Sequence, residues 1–334
     1  MSPGADGGRD EALAGGADGS GPRRPRLLFV HAHPDDETLS TGVSLAHHAL
    51  LGHDVHVLTC TLGEEGEVIP PELAHLEGAP GDPLARHRRA ELASALATLG
   101  VTGHLLGENA PGHRLRTEAG TAYRDSGMAG SAAARHPLAF AAADVEEAGS
   151  LVRDLVERLR PDVVVTYDAH GGYLHPDHVQ THRVTVAALR AMPSPPPLYA
   201  VVTPRSWVAD DRAWLAANVD AATGVVVPGP SDPLRPNEIH DDLVTRSTVD
   251  HDAVALQEAA LRHHATQVVL GRGWYTLSNR VAARLAGREG FALVDLATGG
   301  LASDDPGASG DPADGTVGRT GTAGRPGLLE GVSA

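Results

Sequence analysis

The chain has no lysine. All 27 of its basic residues are arginine, in 334 residues. Genome base composition is a sufficient explanation for most of that bias, but the absence has a chemical consequence. It excludes a Schiff base, a lysine general base and a phosphate-loop lysine. Cysteine is almost absent too. Cys60 stands alone, so neither an intrachain disulfide nor a multi-cysteine zinc site can be built. Its sequence neighbours include no activating cation, which favours a small buried hydrophobe over a nucleophile. Aromatic residues make up 3% of the chain, too few for a base-stacking platform. No apolar run approaches the ~20 residues needed to cross a bilayer, and the start, MSPGADGGRDEALAGGADGSGPRRPR, has no secretory apolar core. Positive charge is also in deficit. The net charge of −16 argues against nucleic acid and anionic membrane as partners. The expected compartment is the cytoplasm.

What is present is organised. Residues 1–24 and 301–334 are rich in Gly, Asp, Pro and Thr without periodicity and read as disordered tails. They account for much of the modest apolar content of 41%. Between them, short apolar runs alternate with helical patterns. Strands are expected at 26–32, 54–60, 103–107, 162–168 and 197–203. Helices are expected at 38–52, 83–100, 143–161 and 176–191, with Gly52, Gly100 and Pro161 as stops and Pro176 in a first turn. Continuous apolar strands alternating with helices imply an α/β fold: a Rossmann-like, mostly parallel sheet with helices on both faces over 25–203. Residues 204–300 read as a smaller mixed C-terminal lobe that completes the pocket, with helices near 206–217, 249–264 and 276–287. The long irregular segments 63–82 and 107–142 are candidate pocket walls.

In such sheets ligands bind beyond the carboxyl ends of the strands. Two polar clusters fall there. RLLFVHAHPDDETLS (26–40) leaves a buried strand and meets an imidazole and three carboxylates at once. YDAHGGYLHPDH (167–178) does the same after the strand at 162–168. His33 and Asp36, three residues apart across a turn, can converge on one ion, and Pro34 pushes His33 towards an extended backbone. His178 is the best third ligand. A His/Asp/His set leaves a position open for water, as catalytic zinc requires, and its N/O donors also admit Fe(II), Co(II) or Mn(II). Asp35, beside a ligand but pointing differently, is the candidate general base. His175 is a candidate imidazolium across the substrate carbonyl, with Asp177 to orient it and raise its pKa. Tyr173 can add a donor to an oxyanion. Glu37 has no assigned role. His31, on the strand face of His33, is a supporting residue rather than a ligand.

Blander readings exist for each motif. HxxD pairs are common, and Asp36 or Asp177 can simply cap a helix. His47, His48, His53, His56 and His104 fit packing or surface positions, and His263 and His264 fit a helix end. The pairs His53–Asp54 and His240–Asp241 lack the helical framework of an HD-type phosphohydrolase.

HAHPDDE followed by a distant GGYLHPDH resembles the PIG-L/LmbE-type zinc N-deacetylases. CTLGEEGEVI (60–69), YRDSGMAG (123–130), LRPDVVVTYD (159–168), GGYLHPDHVQTH (171–182) and ATQ (265–267) extend the resemblance to the branch acting in mycothiol biosynthesis, over about residues 25–300. It implies hydrolysis of a small pseudodisaccharide, 1-O-(2-acetamido-2-deoxy-α-D-glucopyranosyl)-1D-myo-inositol, to the free amine and acetate. By that resemblance His33, Asp36 and His178 match ligands of one Zn2+ per subunit. Asp35 matches the base, His175 the oxyanion-stabilising or acidic histidine, and Tyr173 a mobile tyrosine. Arg88 and Asp125 match positions that contact sugar or inositol hydroxyls. Leu174 departs from the pattern, since glycine is expected there. The sister mycothiol S-conjugate amidases carry a lysine just after HPDDE, where this chain has Thr38-Leu39-Ser40. A reading from another class, a non-catalytic sugar-binding relative, is disfavoured because Asp35 is kept.

Overall fold

A computed structural model describes residues 23–108, 117–302 and 325–331. The remainder of the expected tails, and 109–116 within the expected pocket wall, lie outside the described residues. The chain runs β1 (Arg26–His31), α1 (Asp36–Leu50), β2 (Asp54–Thr59), α2 (Pro83–Leu99) and β3 (Thr102–Leu105). Next come α3 (Val145–Leu159), β4 (Val163–Tyr167), a single turn α4 (Gly171–Leu174), α5 (Pro176–Arg190), β5 (Leu198–Pro204) and α6 (Arg205–Asn218). These elements match the sequence expectation closely.

The central strands are mostly apolar because both faces are covered. Along β1, Leu27 and Phe29 pack on one side with Val43 and Leu45 of α1 and Leu92 and Leu96 of α2. Leu28 and Val30 pack on the other with Val152 and Leu155 of α3 and Val184 and Leu189 of α5. Alternate residues of a strand point to opposite faces, so a strand between two helix layers has no polar face to show. Each such side chain contributes roughly 1.5–3 kcal/mol by leaving water.

With β7 (Arg246–Val249) and β11 (Arg288–Leu293) from the C-terminal region, the sheet order is β3-β2-β1-β4-β5-β11-β7. The first five strands are parallel. β11 lies antiparallel to both β5 and β7. Strand order reverses between β1 and β4, so their carboxyl ends flank a crevice.

The segment 204–300 both extends this sheet and adds to it. It contains β6 (Glu238–Ile239), β7, α7 (Val254–Leu261) and a separate antiparallel sheet of β8 (Val269–Leu270), β9 (Trp274–Thr276) and β10 (Ala283–Arg284). The helix expected near 276–287 is absent. Arg280 donates its N–H to Leu277 O at 2.9 Å in a turn, and β10 then pairs with β9. The apolar spacing there buries Ala282 and Leu285 from an extended chain instead.

Part of the expected C-terminal tail is also folded. Ser247 of β7 donates its N–H to Pro326 O at 3.1 Å, and Arg325 donates to Asp241 O. Leu328 is fully buried in the cluster that holds α1 and α2. This segment covers the edge strand β7, which would otherwise offer unpaired backbone groups.

Candidate metal centre and catalytic cavity

The first wall of the site is the turn that leaves β1. Ala32 is fixed by donating its N–H to Tyr167 Oη at 3.0 Å, and its carbonyl accepts the Thr61 N–H at 2.9 Å. His33 then donates its N–H to Asp36 Oδ2 at 2.9 Å. Between them Asp35 takes φ 105°, a conformation that costs a non-glycine residue about 1–3 kcal/mol. Several groups enforce it. Asp35 donates its N–H to Glu37 Oε2 at 2.9 Å, and its carbonyl accepts the N–H groups of Thr38 and Leu39. Arg88 reaches in from α2, donating to Pro34 O at 2.6 Å and to Asp35 Oδ2 at 3.2 Å. Its other terminal nitrogen donates to Gly63 O at 2.7 Å. Gly63 has φ 64°, and a Cβ there would stand 1.7 Å from that nitrogen, so only glycine leaves room for the guanidinium.

The second wall follows β4. Asp168 Oδ1 accepts the Gly172 N–H at 2.6 Å and closes the turn α4. Gly171 lies so close to α5 that a Cβ would be 2.6 Å from the Cβ of His178. Leu174, where glycine is expected, holds φ 72° with an exposed side chain. His175 caps α5, its Nδ1 accepting the Asp177 N–H at 3.2 Å. His178, one turn on, stacks on Tyr167 with ring centroids 4.2 Å apart.

The two walls meet at Asp36. Its Oδ2 lies 3.2 Å from His33 Nδ1 and 3.3 Å from His178 Nε2. His33 also offers a donor atom within 4.8 Å of those of His175 and His178, and another triplet with Asp125 and Asp177. The residues fit a divalent ion: among the described residues neither ring nitrogen of the buried His178 has a hydrogen-bond partner, and a Lewis acid facing Asp36 would engage Nε2. His33 Nε2, 3.2 Å from Asp177 Oδ2, adds the carboxylate–histidine contact that commonly orients a metal-binding imidazole.

Burial and neighbours set the electrostatics. Burial pushes Asp35 up to about 7, with Arg88 opposing and Asp36 reinforcing. His33 is raised well above its ordinary value: burial opposes this, and Asp125, Asp177 and Asp36 outweigh it. Burial, together with the charges of His33 and His178, pushes His175 down to about 3. Burial likewise lowers His31 to about 4, and its Nε2 lies 3.0 Å from Thr41 Oγ1, in keeping with a supporting role.

Eight of the nine sequence-predicted site residues line one cavity of about 290 Å³: His33, Asp35, Asp36, Arg88, Asp125, Tyr173, His175 and His178. Asp177 does not. It is fully buried beneath the cavity, and its carboxylate turns to His33 and to the Ser126 N–H at 2.8 Å. The expectation that this carboxylate orients His175 is therefore wrong, because the first turn of α5 aims the side chain back at β1. His175 itself, pushed down to about 3 by burial and by the charges of His33 and His178, favours the neutral imidazole over the expected imidazolium. Arg88 spends its terminal nitrogens on the turn around Asp35, besides lining the cavity. Asp125 accepts the Gly127 N–H at 2.7 Å and lies 3.5 Å from His33 Nε2. Tyr173 is half-exposed, edge-on to His178 at 5.0 Å.

Sequence reasoning missed several lining residues. Arg235, Asn237 and Tyr275 carry no local signal, since strand pairing and loop packing alone bring them to the cavity, whereas Tyr167 lies in the quoted YDAHGGYLHPDH cluster without an assigned role. Gln267, in the quoted ATQ block, also lines it. The remaining histidine pairs stay outside. His48 and His53 meet at 3.0 Å, as do His56 and His104, and His240 contacts Arg205 at the surface.

The family described as PIG-L, GlcNAc-PI de-N-acetylase, matches residues 28–189. A protein of Mycobacterium sp. (strain KMS) named 1D-myo-inositol 2-acetamido-2-deoxy-alpha-D-glucopyranoside deacetylase is 44% identical over 82% of this chain and 85% of its own length. Proteins with the same name from Acidothermus cellulolyticus and Thermomonospora curvata are 42% and 41% identical, over 80% and 84% of this chain and 88% and 93% of theirs. With similarity of that extent over most of the folded residues, and both HPDD and HPDH at the walls of one cavity, the chain belongs to the PIG-L family of de-N-acetylases.

Proposed function

We propose that the protein is a metal-dependent N-deacetylase that hydrolyses 1-O-(2-acetamido-2-deoxy-α-D-glucopyranosyl)-1D-myo-inositol to the amine and acetate, in the cytoplasm, as a step of mycothiol biosynthesis. The observation that carries it is the meeting of His33, Asp36 and His178 around one carboxylate oxygen, in the same cavity as Asp35 and His175. The three residues would hold a single Zn2+, or Fe2+ or another divalent ion. That ion, when bound, supplies an activated water and a polarised amide carbonyl.

The protein's own groups do the rest. Asp35, lifted to about 7, is basic enough to take a proton from the attacking water and acidic enough to return it to the departing amine nitrogen. His175 accepts the Asp177 N–H at Nδ1, which leaves its ring proton on Nε2. It is thus a hydrogen-bond donor to the developing oxyanion rather than a ligand through Nε2, and this favours Asp36 over His175 in the ligand set. Tyr173, half-exposed at the cavity, would add a second donor. Asp125 offers a carboxylate to the polyol hydroxyls.

Metal-loaded protein is expected to release one acetate per amine formed from the N-acetylglucosaminyl-inositol. It is expected to leave the cysteinyl amide of a mycothiol S-conjugate comparatively untouched. Binding of the first substrate without acetate release would refute the assignment, and faster cleavage of the S-conjugate would transfer it to the amidase.

A further inference from the structure

We propose that the buried pair Glu37–His264 is a positioning device for the general base, holding the Asp35 backbone in its left-handed conformation and so aiming the Asp35 carboxylate into the cavity. The inference rests on the assignment of Asp35 as base. Glu37 is the one ionisable residue of the HPDDE turn to which the reaction gives no task. A carboxylate in the first turn of a helix ordinarily faces water. This one is fully buried, and so is His264.

Both Glu37 oxygens are committed. Oε2 accepts the Asp35 N–H at 2.9 Å. Oε1 accepts the Thr38 hydroxyl at 2.6 Å and lies 2.9 Å from His264 Nε2. His264 comes from the turn after α7, its N–H bonded to Leu261 O and its carbonyl accepting from Gln267 and Val268. α7 is seated on α1 by Gln257, which donates to Thr38 O at 2.9 Å. A Cβ on Gly42 of α1 would lie 2.8 Å from the Gln257 Cγ. The C-terminal region thus reaches the catalytic turn through one imidazole and one carboxylate.

The geometry separates this from a purely stabilising ion pair. Asp35 is held at two ends: Glu37 takes its N–H, and Arg88 takes its carboxylate and the preceding carbonyl. The Asp35 carbonyl is held as well, by the Thr38 and Leu39 N–H groups, but Glu37 supplies the one acceptor for its N–H, and at φ 105° these contacts together offset the strain. Without the Glu37 acceptor, the peptide is free to relax and the carboxylate leaves its place. Glu37 touches neither substrate nor the reacting atoms, so it acts through Asp35.

The test compares wild type, Glu37→Ala, Glu37→Gln and His264→Gln in acetate-release kinetics, with metal content and melting temperature measured on the same samples. Glu37→Gln keeps an acceptor for the Asp35 N–H and is expected within about threefold of the wild-type kcat, whereas Glu37→Ala should lose about tenfold or more. KM and metal content should change little in either, which places the loss in the chemical step. An unchanged kcat in Glu37→Ala overturns the proposal. So does a loss of activity that only tracks a loss of metal. Should Glu37→Ala not fold, His264→Gln decides: a lower kcat with metal and KM retained supports the proposal, and an unchanged kcat overturns it. A metal-loaded wild type that releases no acetate overturns the deacetylase reading and this inference with it, whereas active wild type with active Glu37→Ala overturns the inference alone.

Discussion

The Oδ2 oxygen of Asp36 stands 3.3 Å from Nε2 of His178 and bridges the ends of two neighbouring strands that are distant in the chain. Because both groups are buried and the imidazole has no hydrogen-bond partner among the described residues, an ion between them satisfies Asp36 Oδ2 and His178 Nε2. Asp36→Ala and His178→Ala are each expected to lower the bound divalent metal from the wild-type level to near zero by elemental analysis, with circular dichroism unchanged. Full metal occupancy in either variant would mean that the ion sits elsewhere.

Asp35→Asn separates proton transfer from metal binding. The amide matches the carboxylate in size but cannot accept a proton. Metal content should stay at the wild-type level, and kcat should fall by about 10²–10⁴-fold. Loss of the ion in this variant would move Asp35 into the ligand set.

Glu289 gives a pH dependence away from the site. It accepts the N–H groups of Val43 and Ser44 at 2.8 and 2.9 Å, and burial pushes it from an ordinary 4.5 up to about 7. The folded state therefore binds this proton more tightly than the unfolded state. Its contribution to stability is complete below about 4.5 and is lost as pH rises through about 7. Thermal melts of wild type and Glu289→Gln between these limits should converge or cross, with the steeper decline in the wild type. Parallel curves would show that Glu289 is not the titrating group.

Leu328 tests the fold of the C-terminal segment. Truncating a fully buried leucine costs about 2–5 kcal/mol. Leu328→Ala should lower the denaturant midpoint accordingly with an unchanged slope, since the residue packs against the α1/α2 side of the sheet. An effect below about 0.5 kcal/mol would mean that the segment is not part of the core.

Cys60 should be chemically silent. Burial pushes its thiol up to about 12, and it is fully enclosed, 3.8 Å from Thr181 Oγ1. Alkylating reagents are expected to label it only after unfolding, by intact-mass measurement. Rapid labelling of the native protein would contradict this burial.

Much of this architecture is legible in the sequence. β1, β2, β4 and β5 stand out as apolar runs, and α1, α2, α3 and α5 as helical patterns with recognisable stops, because burial between two helix layers imposes that pattern residue by residue. The region 276–287 misled because apolar residues at 277, 281, 282 and 285 imitate a helix face, while the pairing of β10 with β9 decides their conformation. Leu328 was invisible for the opposite reason. Two leucines in a glycine-rich stretch carry no periodicity, and only the edge of β7 gives them something to cover.

Local sequence specifies that two polar turns leave the carboxyl edge of one mostly parallel sheet, and which residue types they bring: His33, Asp35 and Asp36 from one, His175 and His178 from the other. That much follows from local periodicity and from the rule that ligands gather at the carboxyl edge of such a sheet. How those side chains divide the work follows from tertiary packing. It sends the Asp177 carboxylate to His33 rather than His175, ties Arg88 to the carbonyls of Pro34 and Gly63, and brings His264 from the far end of the fold to Glu37. The reason is physical: spacing along a chain fixes which face of an element a residue occupies, whereas a buried polar group finds its partner on whichever element packs against that face.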